Sequence, residues 1–270
     1  LKSSPSLCSG CSRGCAIELH ANTRLWHTGG ERVARYKPRF NPLVNGYWIC
    51  DEGRYGYSMH NAERLSRLRR KNAGGYEQLE WDAALAALAG ELKAGLSARG
   101  AAGLGLVLSG TLSNEDFFLA RRLVDELKPG RVLFGPAPEQ LGEEDELLRR
   151  REKVPNLAGA AAFGFGREIA GASWDELRRD IESGRLWGLY VVDRDPFRVW
   201  GADSSELLAK LSLLVYQGPR AVGATGLAHW ILPAATHAEE DGTFTNFAGL
   251  VQRYEAALDP IRQGRSDWSI

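Results

Sequence analysis

The sequence predicts an α/β protein in two parts. A small N-terminal module over residues 1–70 has short antiparallel strands around a cysteine site, and a body over residues 71–270 has a mostly parallel sheet with helices on both faces. Three observations lead there. All four cysteines of the 270-residue chain lie within its first 50 residues. Beyond them, helical and apolar strand patterns alternate, as βαβ units do. Charge divides at the same place: the chain as a whole is neutral, but residues 1–70 hold 12 basic and 5 acidic side chains, net +7, which leaves a net −7 for residues 71–270.

With 44% hydrophobic and 25% charged residues the composition is that of an ordinary globular chain, long enough for one large or two small cores. Zero net charge removes the footprint of a general nucleic-acid binder. The longest uncharged stretch, Ala221 to Ala238, contains Gly223, Gly226, His229, Pro233 and His237, so it does not read as a membrane-spanning helix. Leu1 to Pro5 lacks the apolar segment of a signal peptide, and the start reads as a processed end or a piece of something longer.

Cys8, Cys11, Cys15 and Cys50 follow the spacing C-x2-C-x3-C-x34-C. Disulfides of a secreted chain would staple its body, which here has no cysteine. Three thiolates from one tight loop and a fourth from a distance suit a [4Fe–4S] cubane with one Cys per iron. Structural zinc sites more often pair two C-x2-C knuckles, and the second is missing; zinc remains the alternative. Ser9, Gly10, Ser12 and Gly14 are small enough for the backbone to wrap the metal and aim N–H groups at sulfur. Between the third and fourth cysteines, Ile17, Leu19, Leu25, Trp26, Val33, Tyr36, Tyr47 and Trp48, interrupted at Thr28-Gly29-Gly30, predict short antiparallel strands. His20 and His27 read as strand-face or surface histidines rather than ligands.

In the body, Trp81, Leu85, Leu88, Leu92 and Leu96 recur at helical spacing, and Leu104 to Leu108 is a buried strand ending at Ser109-Gly110. Ser113 to Asp116 starts a helix with Ala120, Leu123, Val124 and Leu127 on one face. The strand Val132–Phe134 follows, then a charged, solvated helix over Glu139–Glu152 and an irregular connection over Pro155–Ala172. Ser173 to Glu176 is a capping box for a helix with Trp174, Leu177 and Ile181 inward. The strand Leu189–Val192, a helix around Leu207, Leu208 and Leu211, and the strand Leu213–Tyr216 complete the pattern. Loops at the carboxyl ends of such strands, here Ser109-Gly110-Thr111, Asp193-Arg194-Asp195-Pro196 and Gln217-Gly218-Pro219, are where a nucleotide would sit. No G-x-G-x-x-G or P-loop supports one, and Gly164-Phe165-Gly166 reads as a turn. Glu239, Glu240 and Asp241 read as a solvated turn or helix end.

Two stretches carry a family resemblance. The C-x2-C-x3-C start with Val44-Asn45-Gly46-Tyr47-Trp48-Ile49-Cys50-Asp51-Glu52-Gly53-Arg54 resembles the iron–sulfur domain of the molybdopterin oxidoreductase superfamily. Within that superfamily it looks most like the large iron–sulfur subunit of bacterial NADH-quinone oxidoreductase, the complex I family. Leu232-Pro233-Ala234-Ala235, with Glu239 to Asn246 and Gly249-Leu250-Val251-Gln252, is similar to the superfamily's L-P-x-x…E-x-x-G-T-x-x-N-x-x-G-R-x-Q, with Leu250 in place of Arg. The resemblance implies a truncated molybdopterin-oxidoreductase-like fold and a [4Fe–4S] cluster bound by Cys8, Cys11, Cys15 and Cys50. It also implies that pterin phosphates would lie at the strand-end loops.

Departures from the molybdenum enzymes shape the expected function. No Cys follows Cys50 to hold molybdenum, and Asp51-Glu52-Gly53-Arg54 stands where many active members carry a Lys after the fourth Cys. Arg54 is a candidate substitute, but a guanidinium does not relay protons. The chain is also short of the domain that closes over a second pterin. Molybdopterin is therefore not expected. The resemblance implies an iron–sulfur subunit of a complex-I-like NADH:quinone oxidoreductase, using the cluster for electron transfer or structural support, with no catalytic residue of its own. The ferredoxin-like region that normally opens such a subunit is not present in this sequence. Expected partners are other iron–sulfur subunits of a respiratory or hydrogenase-like complex docking on the basic N-terminal face. The expected location is the cytoplasmic side of the inner membrane, peripheral through those partners. The rival readings are a molybdenum- or tungsten-pterin, formate dehydrogenase-like subunit and a zinc-stapled interaction module.

Overall fold

A computed structural model describes residues 1–27, 29–134, 141–165 and 173–270. Its N-terminal part is a three-stranded antiparallel sheet of β1 (Lys2–Leu7), β2 (Ala16–Ala21) and β3 (Val33–Pro38), with β2 in the middle. Alternation explains the pairing: Ile17, Leu19, Val33 and Tyr36 turn to a common interior and are almost fully buried, while Leu7, opposite Ala16, is buried on the other face. The strands between the third and fourth cysteines are present, and β1 adds one before the first. After Cys50 come α1 (Asp51–Tyr55) and a 3₁₀ turn at Gly56–His60.

The body is one seven-stranded sheet in the order β5-β4-β10-β9-β8-β6-β7. The hairpin of β4 (Arg69–Asn72) and β5 (Gly75–Gln78) forms its antiparallel edge. Strands β6 (Leu104–Leu108), β7 (Arg131–Phe134), β8 (Gly188–Val192), β9 (Leu213–Gly218) and β10 (Trp230–Pro233) run parallel. Helices cover both faces, and the strand alternation shows it. Leu106, Leu108, Tyr190 and Val192 pack against α3 (Asn114–Leu127) and α4 (Leu157–Ala162). Leu104, Leu213, Val215 and Trp230 share that side with α2 (Trp81–Arg99). Val107, Leu189, Val191, Leu214 and Tyr216 meet α5 (Trp174–Glu182) and α7 (Ser204–Leu208) on the other; α6 (Phe197–Trp200) lies just before α7. Ser113 with Asp116 and Ser173 with Glu176 form the two capping boxes the sequence predicts. The chain moves from β6 outward to β7, then crosses to β8 on the other side of β6. The sheet therefore has its topological switch point between β6 and β8. A second hairpin, β11 (Gly242–Thr245) with β12 (Val251–Tyr254), packs back onto the N-terminal sheet, where Leu7, Phe244 and Tyr254 form a shared core.

Three expectations change. The helix over 139–152 is absent among the described residues 141–152; residues 139 and 140 lie outside them. Leu141 bridges Glu152, and the Asp145 carboxylate accepts the N–H groups of Leu147, Leu148 and Arg149. The paired charges suit a helix, but this local side-chain bonding diverts the backbone, and Leu148 packs against the cysteine module. The connection from residue 155 contains α4, a run of Ala and Gly without the apolar periodicity that reveals a helix; residues 166–172 lie outside the description. Glu239 and Glu240 are buried rather than solvated, while Asp241 is exposed.

Candidate functional site

The four cysteines gather at one end of the N-terminal sheet. Cys8 and Cys15 flank a tight loop closed by a backbone hydrogen bond from Cys8 to Cys15 (2.8 Å). Cys50 arrives as the N-cap of α1. Its loop is pinned by buried Asn45, which accepts from the Ala16 N–H (2.9 Å) and donates to the Trp48 carbonyl (2.9 Å). Thus the residue after Cys15 and the segment before Cys50 are tied to one side chain. Cys8, Cys11 and Cys15 are buried and Cys50 is half-buried. The thiols lie close enough to act on one another: burial first, then the charges of Cys15, Cys11 and Cys50, pushes the Cys8 thiol far up. The same causes, burial and then Cys11 and Cys50, push Cys15 up to about 12, with Arg13 opposing.

Backbone donors face the sulfurs. The Gly53 N–H points at Cys50 Sγ (3.4 Å), and the Gly10 N–H lowers the cost of charge on Cys8. A Cβ at Gly53 would stand 2.9 Å from Cys8 Sγ and 3.0 Å from Ile49 Cγ1, so only glycine leaves the sulfur room. This donor set fits a soft, thiolate-binding group: metal binding removes the thiol protons whose loss burial makes costly. Among the described residues, no group of three His, Cys, Asp or Glu side chains is placed to hold a single metal ion. His20 sits on β2, where its Nδ1 accepts from Arg35 (3.2 Å). Arg54 lies on α1, its N–H bonded to the Cys50 carbonyl.

The C-terminal motif forms the back wall of this loop. Asn246 accepts from the N–H groups of Ala248 and Leu250 (both 3.0 Å) and donates to the Arg13 carbonyl, while the Phe247 N–H bonds the Ser12 carbonyl (2.8 Å). Leu250, where the superfamily has Arg, is half-buried, and the Arg13 and Arg150 guanidiniums lie over the Phe247 ring instead.

Beside the site is a buried polar network that the sequence does not reveal. Tyr36 is hydrogen-bonded to His60 Nε2, His60 Nδ1 meets Thr236 Oγ1 (2.9 Å), and His237 packs 4.7 Å from the His60 ring. Burial holds His60 well below the usual histidine range and His237 down to about 4. Glu239 accepts from Arg32, Arg64 and the Thr236 N–H.

The strand-end loops meet over the switch point, where Thr111 Oγ1 donates to Asp193. Asp195 caps Phe197 and accepts from the Gly223 N–H (3.3 Å). Part of the chain packs against the β6 loop: a Cβ at Gly110 would lie 2.7 Å from Val154 Cγ2, and Asn156 bridges the Leu112 carbonyl and the Thr245 N–H. A polar cleft of about 370 Å³ beside them is lined by Glu63, Asp195, Arg198 and Arg220.

Parts of this chain are similar to known proteins. Residues 155–270 match the molybdopterin oxidoreductase family. The NADPH-Fe(3+) oxidoreductase subunit alpha of Geobacter sulfurreducens is 35% identical over 111 residues, 39% of this chain and 13% of that protein. An NADH-quinone oxidoreductase subunit of Streptomyces coelicolor is 38% identical over 178 residues, 65% of this chain and 18% of that protein. The chain thus spans less than a fifth of these two relatives' length. A solved structure, acetylene hydratase from Pelobacter acetylenicus, aligns with a TM-score of 0.39 at 12% identity over 78% of this chain and 29% of that one.

Proposed function

From the match of residues 155–270 to the molybdopterin oxidoreductase family, we propose that the chain is the iron–sulfur part of an oxidoreductase subunit of the NADH-quinone oxidoreductase type. In this proposal Cys8, Cys11, Cys15 and Cys50 hold one [4Fe–4S] cluster, which when bound supplies a one-electron couple. The observation that carries the reading is the gathering of four thiols in one largely buried niche with backbone N–H groups on sulfur. A zinc staple would draw its thiolates to about 2.3 Å from one ion, whereas a cubane spreads one thiolate to each of four irons. The spacing C-x2-C-x3-C with one distant cysteine supports the latter, since structural zinc sites more often pair two C-x2-C knuckles. The protein's part is to exclude water through β1–β3 and to donate hydrogen bonds to sulfur; no acid–base residue is needed. Molybdenum chemistry is not part of the proposal, because no cysteine follows Cys50 to hold the metal.

Partners would be other iron–sulfur subunits of a multi-subunit respiratory complex, docking on the basic N-terminal side. A complex whose contacts avoid residues 1–70 refutes that part. Among the described residues no helix is long and apolar enough to cross a membrane, so attachment to the inner membrane would come through those partners. The test is anaerobic purification with iron, sulfide, zinc and molybdenum analysis and EPR of the dithionite-reduced protein. About four iron and four sulfide per chain, with a reduced-cluster signal, is the expected result. One zinc without iron, or stoichiometric molybdenum or tungsten, overturns it.

A further inference from the structure

The segment 141–153, which the charge pattern presents as a solvated helix, is instead strapped across the cysteine site. The Ser12 N–H, between the second and third cysteines, bonds the Glu152 carbonyl (2.9 Å), and Ser12 Oγ donates to the Glu152 carboxylate (2.9 Å). Leu148 packs into the same core as Cys8 and Cys15. At its end Lys153, with only 19% of its side chain exposed, donates from Nζ to Glu52 Oε2 (2.8 Å) and to the Glu143 carbonyl (2.8 Å). Glu52 follows Cys50 by two residues and also meets Arg149 (3.5 Å). Glu52 sits in the first turn of the helix that Cys50 caps, and Lys153, bonded to it, brings the opposite charge to the same turn, so the lysine favours added negative charge at the site and the glutamate opposes it.

We propose that the strap is an electrostatic device, in which Lys153 and Glu52 are positioning residues that set the reduction potential of the four-cysteine site. The inference rests on the functional reading above. Reduction adds one electron, drawn from dithionite in the test or from a partner's reduced iron–sulfur centre in the assembly, and places one more negative charge among the thiolates. No proton or leaving group is required. Lys153 stabilises that added charge and raises the potential, and Glu52 lowers it. Held together they nearly cancel, so removing one exposes the other. Because Glu52 is half exposed and Arg149 also contacts it, water and the second cation damp each effect.

The experiment is an EPR-monitored redox titration of the anaerobically purified protein and its Lys153→Gln, Lys153→Arg, Glu52→Gln and Lys153→Gln/Glu52→Gln variants, each with iron and sulfide analysis. Lys153→Gln is expected to disfavour reduction about threefold, roughly −28 mV at 59 mV per tenfold for one electron. Glu52→Gln shifts by a similar amount upward, the double variant returns close to the parent, and Lys153→Arg stays with it. A strap that merely packs would move iron content and leave the potentials alone. If Lys153→Gln fails to retain iron, the upward shift in Glu52→Gln decides. Full iron content with unmoved potentials overturns the inference and leaves the functional reading intact. A parent protein without iron overturns both.

Discussion

Glu239→Gln tests the polar joint between the N-terminal module and the body most directly. The Glu239 side chain is fully buried, Arg64 is 4% exposed and Arg32 12%. Its oxygens accept from both guanidiniums, from the Thr236 N–H (2.9 Å) and from Thr236 Oγ1 (3.3 Å). Arg32 reaches on to the Asp259 carbonyl, and Arg64 to the carbonyls of Pro219 (3.0 Å) and His60 (3.2 Å). The amide keeps the shape but removes the counter-charge of two buried cations and turns an NH₂ toward their donors. Breaking a buried pair from one side costs about 3–5 kcal/mol. The carbonyl contacts remain, which favours the lower end, about 3 kcal/mol. At roughly 2–4 °C per kcal/mol for a chain of this size, Tm should fall by about 6–12 °C. Thermal unfolding followed by circular dichroism, with urea midpoints at neutral pH, measures it. Asp241→Asn is the control: it removes the same charge nearby, but from an exposed pair with Arg253 at 3.4 Å, and should cost no more than about 1 kcal/mol. A Glu239→Gln loss as small as the control's would refute the reasoning.

Gly53→Ala should lower iron per chain to below half while leaving the far-ultraviolet spectrum unchanged, because the new methyl would stand 2.9 Å from Cys8 Sγ; full iron content would show that α1 can shift. Burial, reinforced by Asp116, pushes Glu240 up to about 8 from 4.5. The folded chain therefore keeps a proton that the unfolded chain has released, and stability falls as pH rises between those values, by at most about 1.4 kcal/mol per unit. Glu240→Gln should flatten that fall between pH 4.5 and about 8 in urea titrations across pH. His237, held down to about 4 from 6.5 by burial, works in the other direction. Its stabilising effect is complete above 6.5 and is lost as pH falls toward 4, because only the unfolded chain gains the proton. His237→Gln should flatten the acid limb, and an unchanged limb would place the effect elsewhere.

Much of the body is legible in the sequence because its strands are buried on both faces and its helices announce themselves with caps. Leu104–Leu108 and Leu213–Gly218 are buried without interruption, and Ser113 and Ser173 each sit three residues before an acid that completes the box. The hairpin β4–β5 is not legible, because Arg69 to Asn72 carry polar side chains at a sheet edge and show no apolar alternation. Strand β10 hides inside an uncharged stretch whose length invites a membrane question before a strand. The acids Glu239 and Glu240 look solvated in sequence because what buries Glu239 is its pairing with Arg32 and Arg64, which enter from distant parts of the chain. The cysteine spacing does point to a common site, but the cation beside Cys50 cannot be found from the sequence around it. Lys153 comes from 103 positions downstream, in a segment whose charges match a helix that does not form.

The two motifs that carry the family resemblance lie at opposite ends of the chain, and the hydrogen bonds explain why they belong together. Asn246 and Arg13 are 233 positions apart, yet the amide of one binds the carbonyl of the other. Gly14 has φ +66°, and Gln252 Oε1 would stand 2.9 Å from any Cβ placed there, so the Gln of the C-terminal motif packs where the cysteine loop must reverse. The N-terminal loop thus lacks a complete wall until β11 and β12 have paired and returned to it. That dependence runs through the sheet as well, since the Thr245 N–H of β11 donates to the Asn156 side chain, which in turn donates to the Leu112 carbonyl at the end of the β6 loop. The cysteine site is therefore anchored to the body through backbone groups whose partners lie far away in sequence. Loss of the C-terminal hairpin should open it even with all four cysteines in place.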